Sequence, residues 1–227
     1  MKQNVIFDFD GTLARTTPYH RSAWEAVIKA LGIKKDLNAL LPFEPNLKER
    51  FDSYRRIKIG FLNNHDIKSK ISAYFDETQD ELLAKKIVDL KESLTITAIF
   101  QEDSSNTLRN LGVNLLGCLN TLKSNGARIG VISSTREPII CSFLYKCGIL
   151  ETFDFIIGEE SLTNRKGKLF DKPNLYAKKV LKRLNQTMDY YIGDNTTIDK
   201  EFAKVCKAKF IYANHESDFM GVLNNLK

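Results

Sequence analysis

The sequence predicts an α/β protein built on a doubly wound parallel sheet, with an all-helical unit inserted after the first strand. Five short runs rich in β-branched and aromatic residues, at 4–9, 128–133, 155–158, 189–193 and 209–212, have the composition of strands. The last four alternate with helix-like segments, the pattern of a sheet covered on both faces. Residues 10–127 hold no convincing strand, far more chain than one crossover needs, so a second unit is inserted there.

The first, second and fourth strand runs are almost continuously apolar, as strands buried on both faces of a parallel sheet must be. Asn125-Gly126 supplies the stop before the second strand. Pro138 and Pro173 each stand where a first helical turn begins. In the insertion, the first helix has Thr17 as its N-cap and Pro18 in its first turn. Trp24, Val27, Ile28 and Leu31 form one apolar face, and Gly32 ends the helix. Further helices are expected over about 46–62 and 65–76. Another opens at Thr78, where Thr-Gln-Asp-Glu has the form of a capping box. The stretch 95–100 suits strand as well as helix. The division is therefore 1–15 and 100–227 for the sheet domain, and 16–99 for the insertion.

Composition narrows the function classes. A chain of 227 residues with 43% hydrophobic and 27% charged content has the balance of a soluble globular protein. No apolar run approaches the ~20 residues of a membrane span. The N-terminus reaches acidic residues at once, without an apolar signal core, so a cytoplasmic protein is expected. The net charge of +6 is spread through scattered lysines, and the densest runs are pairs such as Lys34-Lys35 and Lys178-Lys179. That is a solvated surface and not a nucleic-acid patch, though it gathers anions. Cys118, Cys141, Cys147 and Cys206 show no CxxC spacing and read as free thiols.

The chemistry-bearing residues stand at strand ends. Asp8 and Asp10, two apart on a strand, project to one side while Phe9 points to the core. Gly11 then lets the backbone turn sharply. Two crowded carboxylates repel unless a cation or a shared proton relieves them, and oxygen ligands suit Mg²⁺. Ser133 and Ser134 close the second run, and Asp194 follows the fourth, with Asp199 just beyond. Each alone has the plain reading of a turn residue. Ligands of open parallel sheets bind at the carboxyl ends of strands, however, and three strands delivering such groups to that edge is a rarer coincidence. Lys172, before Pro173, is the candidate cation for a phosphate, with Lys166 and Lys168 as neighbours.

These four pieces in this order resemble the motifs of the haloacid dehalogenase-like superfamily: DFDGT at 8–12, Ser133 after an apolar strand, Lys172-Pro173, and Gly193-Asp194 with Asp199. The resemblance implies a Rossmann-like core with an inserted helical cap, and Mg²⁺ as cofactor. It makes Asp8 the nucleophile that becomes an aspartyl phosphate, and Asp10 the general acid and base. Ser133 and Lys172 would hold the phosphoryl group, with Ser134 and amides near Gly11 and Thr12. The metal would take Asp8, the Asp10 carbonyl and Asp194. Asp199 stays open between a metal ligand and a carboxylate behind one.

The insertion resembles the cap of the subgroup containing phosphoglycolate phosphatase and β-phosphoglucomutase. Its Tyr19-His20-Arg21-Ser22-Ala23-Trp24 is especially similar to the start of the mutase cap. That similarity casts His20 as a support for Asp10, against the simpler reading of a helix-surface histidine. Arg50, Arg55, Arg56 and Lys58 read as a solvated face. The implied activity is hydrolysis of a small phosphate monoester, with a sugar phosphomutase as the alternative. Gly193 leans towards the phosphatases, because the mutases carry Glu there. A dehalogenase would lack an acid at Asp10. A non-catalytic relative would show damage at these positions, and none is present.

Overall fold

The computed structural model describes residues 3–40, 57–159, 175–185 and 187–226. Five parallel strands form its sheet: β1 (Asn4–Phe7), β2 (Arg128–Ile132), β3 (Phe155–Ile157), β4 (Tyr190–Gly193) and β5 (Lys209–Tyr212). Their order is β3-β2-β1-β4-β5, so the three continuously apolar runs are the three inner strands. Val5, Ile6 and Phe7 are fully buried for that reason. β1 pairs with β2 from Asn4↔Arg128 to Phe7↔Val131, and with β4 from Val5↔Tyr190 to Phe7↔Ile192. The strands stop one or two residues short of several sequence-predicted ends, because the chain leaves the ladder where the candidate site residues begin.

The helices are α1 (Thr17–Ala30), α2 (Leu37–Leu40), α3 (His65–Phe75), α4 (Asp80–Gln101), α5 (Ser104–Arg109), α6 (Leu115–Ser124), α7 (Glu137–Lys146), α8 (Leu175–Arg183), α9 (Ile198–Cys206) and α10 (Phe219–Leu223). The chain divides into two compact units, one of residues 1–17 and 99–227, the other of residues 18–98. Under the sheet, Ile6, Ile132, Ile157, Leu181, Tyr191 and Phe202 form one apolar cluster. Tyr191 stacks edge-on to Phe202 and donates its hydroxyl to the Ile132 carbonyl, which satisfies the buried phenol.

The helical unit has its own core of Val27, Leu31, Leu37, Ile57, Phe61, Ile71, Leu83 and Ile87, with Trp24 half-buried against it. A short π-helical turn, Lys58–Leu62, belongs to this core. A Cβ on Gly60 would lie 2.2 Å from the Leu40 carbonyl oxygen, so glycine is what lets α2 pack this closely.

Several local expectations are corrected. α4 opens at Asp80, and the Thr78 capping box does not form. The Glu77 carboxylate accepts from the amides of Thr78 and Gln79 instead, while Glu81 pairs with Lys58. Thr17 is the first helical residue of α1 and not its cap, because the preceding Thr16 turns its hydroxyl to Asp10. The stretch 95–100 is helix: the Thr95 and Thr97 hydroxyls bond the carbonyls of Lys91 and Ser93, four residues back. Most of the helix expected over 46–62, with Arg50, Arg55 and Arg56, lies outside the described residues.

The four cysteines are free thiols. Burial pushes the Cys118 and Cys147 thiols up to about 12 and Cys206 to about 11, so they are inert packing residues. Among the described residues no helix is long and apolar enough to cross a membrane.

Candidate active site

β1 and β4 are neighbours, so their carboxyl ends deliver Asp8 and Asp194 side by side. Asp199 arrives from the first turn of α9. One oxygen from each of these three carboxylates lies within 4.8 Å of the others. Asp8 and Asp199 are buried and Asp194 is half-buried. Two glycines make this crowding possible. A Cβ on Gly11 would lie 2.3 Å from Asp194 Oδ2, and one on Gly193 would lie 2.4 Å from Asp199 Oδ2. Gly11 also has φ +80°, a conformation glycine adopts without strain.

Three carboxylates so close, two of them buried, repel one another, and the repulsion is relieved by a hard divalent cation taking carboxylate oxygens. The donor set therefore fits Mg²⁺. The surroundings fit it as well. Asp199 Oδ2 accepts from the Asn195 amide at 3.0 Å. Asn195 Oδ1 accepts from the amides of Thr197 and Ile198, which fixes the side chain at the start of α9. Its Nδ2 is buried with no hydrogen-bond partner among the described residues, a donor still in want of an oxygen.

Asp10 is not in the carboxylate cluster. Its Oδ1 accepts from the Thr16 hydroxyl and its Oδ2 from the Thr135 hydroxyl. Phe9, between the two aspartates, is fully buried and meets Phe143 edge-on, which locks the alternation that sends Asp8 and Asp10 the other way.

Ser133 is buried at the end of β2, where its hydroxyl accepts from the Thr135 amide at 3.2 Å. Ser134 is half-buried beside it. Thr12 is fully buried, with its hydroxyl 3.5 Å from Asp194 Oδ1. The amides of Gly11 and Thr12 differ from expectation. They donate to the carbonyls of Ala14 and Phe9, closing the turn, so both are already used within it. His20 lies in the helical unit, half-buried on α1, with Nδ1 2.7 Å from Lys91 Nζ. Lys172, Lys166 and Lys168 lie outside the described residues.

Sequence reasoning missed four residues. Three of them are Thr16, Thr135 and Asn195; His215, whose amide donates to the Gly11 carbonyl at 2.8 Å, is the fourth. The only signal for Thr135 was its place two residues after Ser133, and a hydroxyl in a turn has local uses by default.

Among curated proteins, the chain is 27% identical over 165 residues to a phosphoglycolate phosphatase of Neisseria meningitidis, covering 72% of this chain and 61% of that protein. It is 26% identical over 170 residues to a β-phosphoglucomutase of Bacillus subtilis, covering 72% and 63%. The aligned region thus spans about three fifths of these relatives' length. Among solved structures, CbbY from Rhodobacter sphaeroides in complex with phosphate is similar in fold, with a TM-score of 0.63 at 19% identity over 97% of this chain and 92% of that one. A family profile matches residues 5–213, from the first strand to just past the last. With that span, the chain belongs to the haloacid dehalogenase-like hydrolase family.

Proposed function

We propose that the protein is a magnesium-dependent phosphatase that hydrolyses a small phosphate monoester through an aspartyl phosphate on Asp8. The observation that carries this reading is the gathering of Asp8, Asp194 and Asp199 oxygens within 4.8 Å, with Asp10 held separately by two hydroxyls. One carboxylate for attack and another for proton transfer is the division of labour that a covalent two-step displacement requires.

In the first step an Asp8 oxygen bonds to phosphorus as the ester P–O bond breaks, and the Asp10 proton goes to the departing oxygen. In the second, the Asp10 carboxylate takes a proton from water as the water oxygen bonds to phosphorus and the Asp8–phosphorus bond breaks. Asp8, Asp194 and the Asp10 carbonyl would hold the magnesium ion, with Asp199 supporting them while its Oδ2 stays on the Asn195 amide. When bound, the ion offsets the repulsion between carboxylate and phosphate. Ser133, Ser134 and Thr12 contribute hydroxyls for phosphoryl oxygens, and Lys172 contributes positive charge. The helical unit, with His20, is read as the substrate-selecting part.

A sugar phosphomutase is the second reading, favoured by the β-phosphoglucomutase relative and the segment from Tyr19 to Trp24. It differs in returning the phosphoryl group to a sugar. Sugar phosphates, phosphoglycolate, nucleotides and pyrophosphate, assayed for phosphate release with and without Mg²⁺, test the proposal. Release that needs Mg²⁺ and vanishes in Asp8→Asn, with the fold retained, is expected. Near-normal turnover by that variant rejects the mechanism. Isomerisation of a sugar phosphate without phosphate release selects the mutase.

A further inference from the structure

Asp10 is 6% exposed, and each of its carboxyl oxygens is taken by a different threonine: Oδ1 by Thr16 and Oδ2 by Thr135. The two threonines are themselves buried, 2% and 7% exposed. They come from distant parts of the chain. Thr16 lies six residues beyond Asp10, just before α1, whereas Thr135 lies 125 residues away in the loop after β2.

Thr135 is fixed at points of its own. Its amide donates to Ser133 Oγ, and its carbonyl accepts from the Glu159 amide at 3.1 Å, just after β3. One residue before, the Gly158 amide donates to Glu137 Oε1 at 3.1 Å, and a Cβ on Gly158 would lie 2.7 Å from the Thr135 carbonyl oxygen. The hydroxyl on Asp10 Oδ2 is therefore anchored to two strands.

We infer that Thr135 is a positioning residue for Asp10, one jaw of a two-threonine clamp that fixes the plane of the general acid–base carboxyl. The inference rests on the phosphatase reading above. A carboxyl that must protonate a departing oxygen and later deprotonate water has to be held within ~0.5 Å and ~10–20° of its working geometry. The choice of hydroxyls is chemically apt. An amide or ammonium can only donate, so it cannot also bond an oxygen whose proton points at it. A hydroxyl donates to the carboxylate and, by rotating, accepts from the acid. Two threonines thus keep the same grip through both half-reactions, and their branched side chains restrict χ1 so the grip does not wander.

The test uses the full chain with Mg²⁺, comparing Thr135→Val, which keeps the shape, with Thr135→Ser, which keeps the hydroxyl. Each is assayed on p-nitrophenyl phosphate, whose leaving group departs unprotonated, and on an alkyl phosphate, whose leaving group needs the Asp10 proton. kcat/KM reports the first half-reaction in both cases. Thr135→Val is expected to lose about 10- to 100-fold in kcat/KM on the alkyl ester, a share of the ~10²–10⁴ that general acid catalysis supplies. It should lose no more than about 3-fold on the aryl ester, and Thr135→Ser should recover most of the alkyl activity.

Thr16→Val, acting on the other oxygen, should give the same split, so the result does not depend on one variant folding. Equal losses on both esters, or none on either, overturn the assignment while leaving the phosphatase reading intact. A wild-type protein inert towards both esters overturns the reading and the assignment with it.

Discussion

The two compact units bury very different things. Of ten buried polar residues among those described, nine belong to the sheet unit, and Thr95 alone lies in the helical one. Thr95 simply returns its hydroxyl to the preceding turn of α4. In the sheet unit, Asp8, Asp10, Thr12, Thr16, Ser133, Thr135, Asn195 and Asp199 cluster in sequence around three strand ends. Burying polar groups is costly unless each has a partner, so a fold concentrates them where a ligand or a reaction repays the cost. The helical unit is held by apolar packing and the sheet unit additionally by a polar site, so the two should respond differently to substitution.

The largest difference is expected at the carboxylate cluster proposed to hold Mg²⁺. Asp194→Ala removes one of three mutually crowded carboxylates, and should weaken Mg²⁺ binding by about 100-fold or more, judging from the ~10–100-fold that even supporting groups contribute. Without Mg²⁺ the same variant should be no less stable than the parent, since like-charge repulsion is relieved. Mg²⁺ titrations followed by thermal unfolding check both halves. A parent protein whose melting point ignores Mg²⁺ would break the comparison at its root.

Next is the core of the helical unit. Phe61 is fully buried there, packed at 6.1 Å from the Trp24 ring. Phe61→Ala should cost about 3–5 kcal/mol, the range for truncating a buried aromatic ring. The loss should fall on residues 18–98, so limited proteolysis followed by mass spectrometry should find early cuts there while the sheet unit persists. Cuts appearing at the same time in both units would mean that they unfold as one.

This division also explains what could be read from the sequence. The inner strands were legible because burial on both faces leaves an unbroken apolar run, and β2, β1 and β4 carry it. The Asp8, Asp194 and Asp199 cluster was legible because each residue follows a recognisable strand or helix start. Thr135 was not, since a hydroxyl pairing across 125 residues leaves no local periodicity, and Thr16, six residues from Asp10, has the look of an ordinary residue before a helix. The cap of α4 failed for a related reason: Glu77 and Thr78 both had the chemistry to close the helix, and the longer carboxylate reached two amides at once. Helix 95–100 contains β-branched residues that local propensity assigns to a strand. Its place in a long helix is settled by packing and by threonines bonding four residues back.

The smallest expected effect lies at the opposite end of the sheet from the carboxylates. Asp154, just before β3, accepts at Oδ2 from the Ile129 amide and from Lys123 Nζ, each at 2.7 Å, joining β2, β3 and α6. Burial alone would raise the Asp154 carboxyl, but Lys123 and the Ile129 amide outweigh it and hold it below the usual carboxylate range. A carboxyl depressed in the folded state stabilises the fold above its unfolded pKa of ~3.9, and that contribution fades as pH falls through the folded value. Asp154→Asn should therefore cost about 1 kcal/mol at pH 7, discounted because both partners are partly exposed. In urea titrations the gap between the two proteins should hold steady down to about pH 5 and close below about pH 4. A gap that stays the same in acid would show that Asp154 does not act through its charge, and charge-dependent linkage in the sheet unit would then be confined to the carboxylate edge.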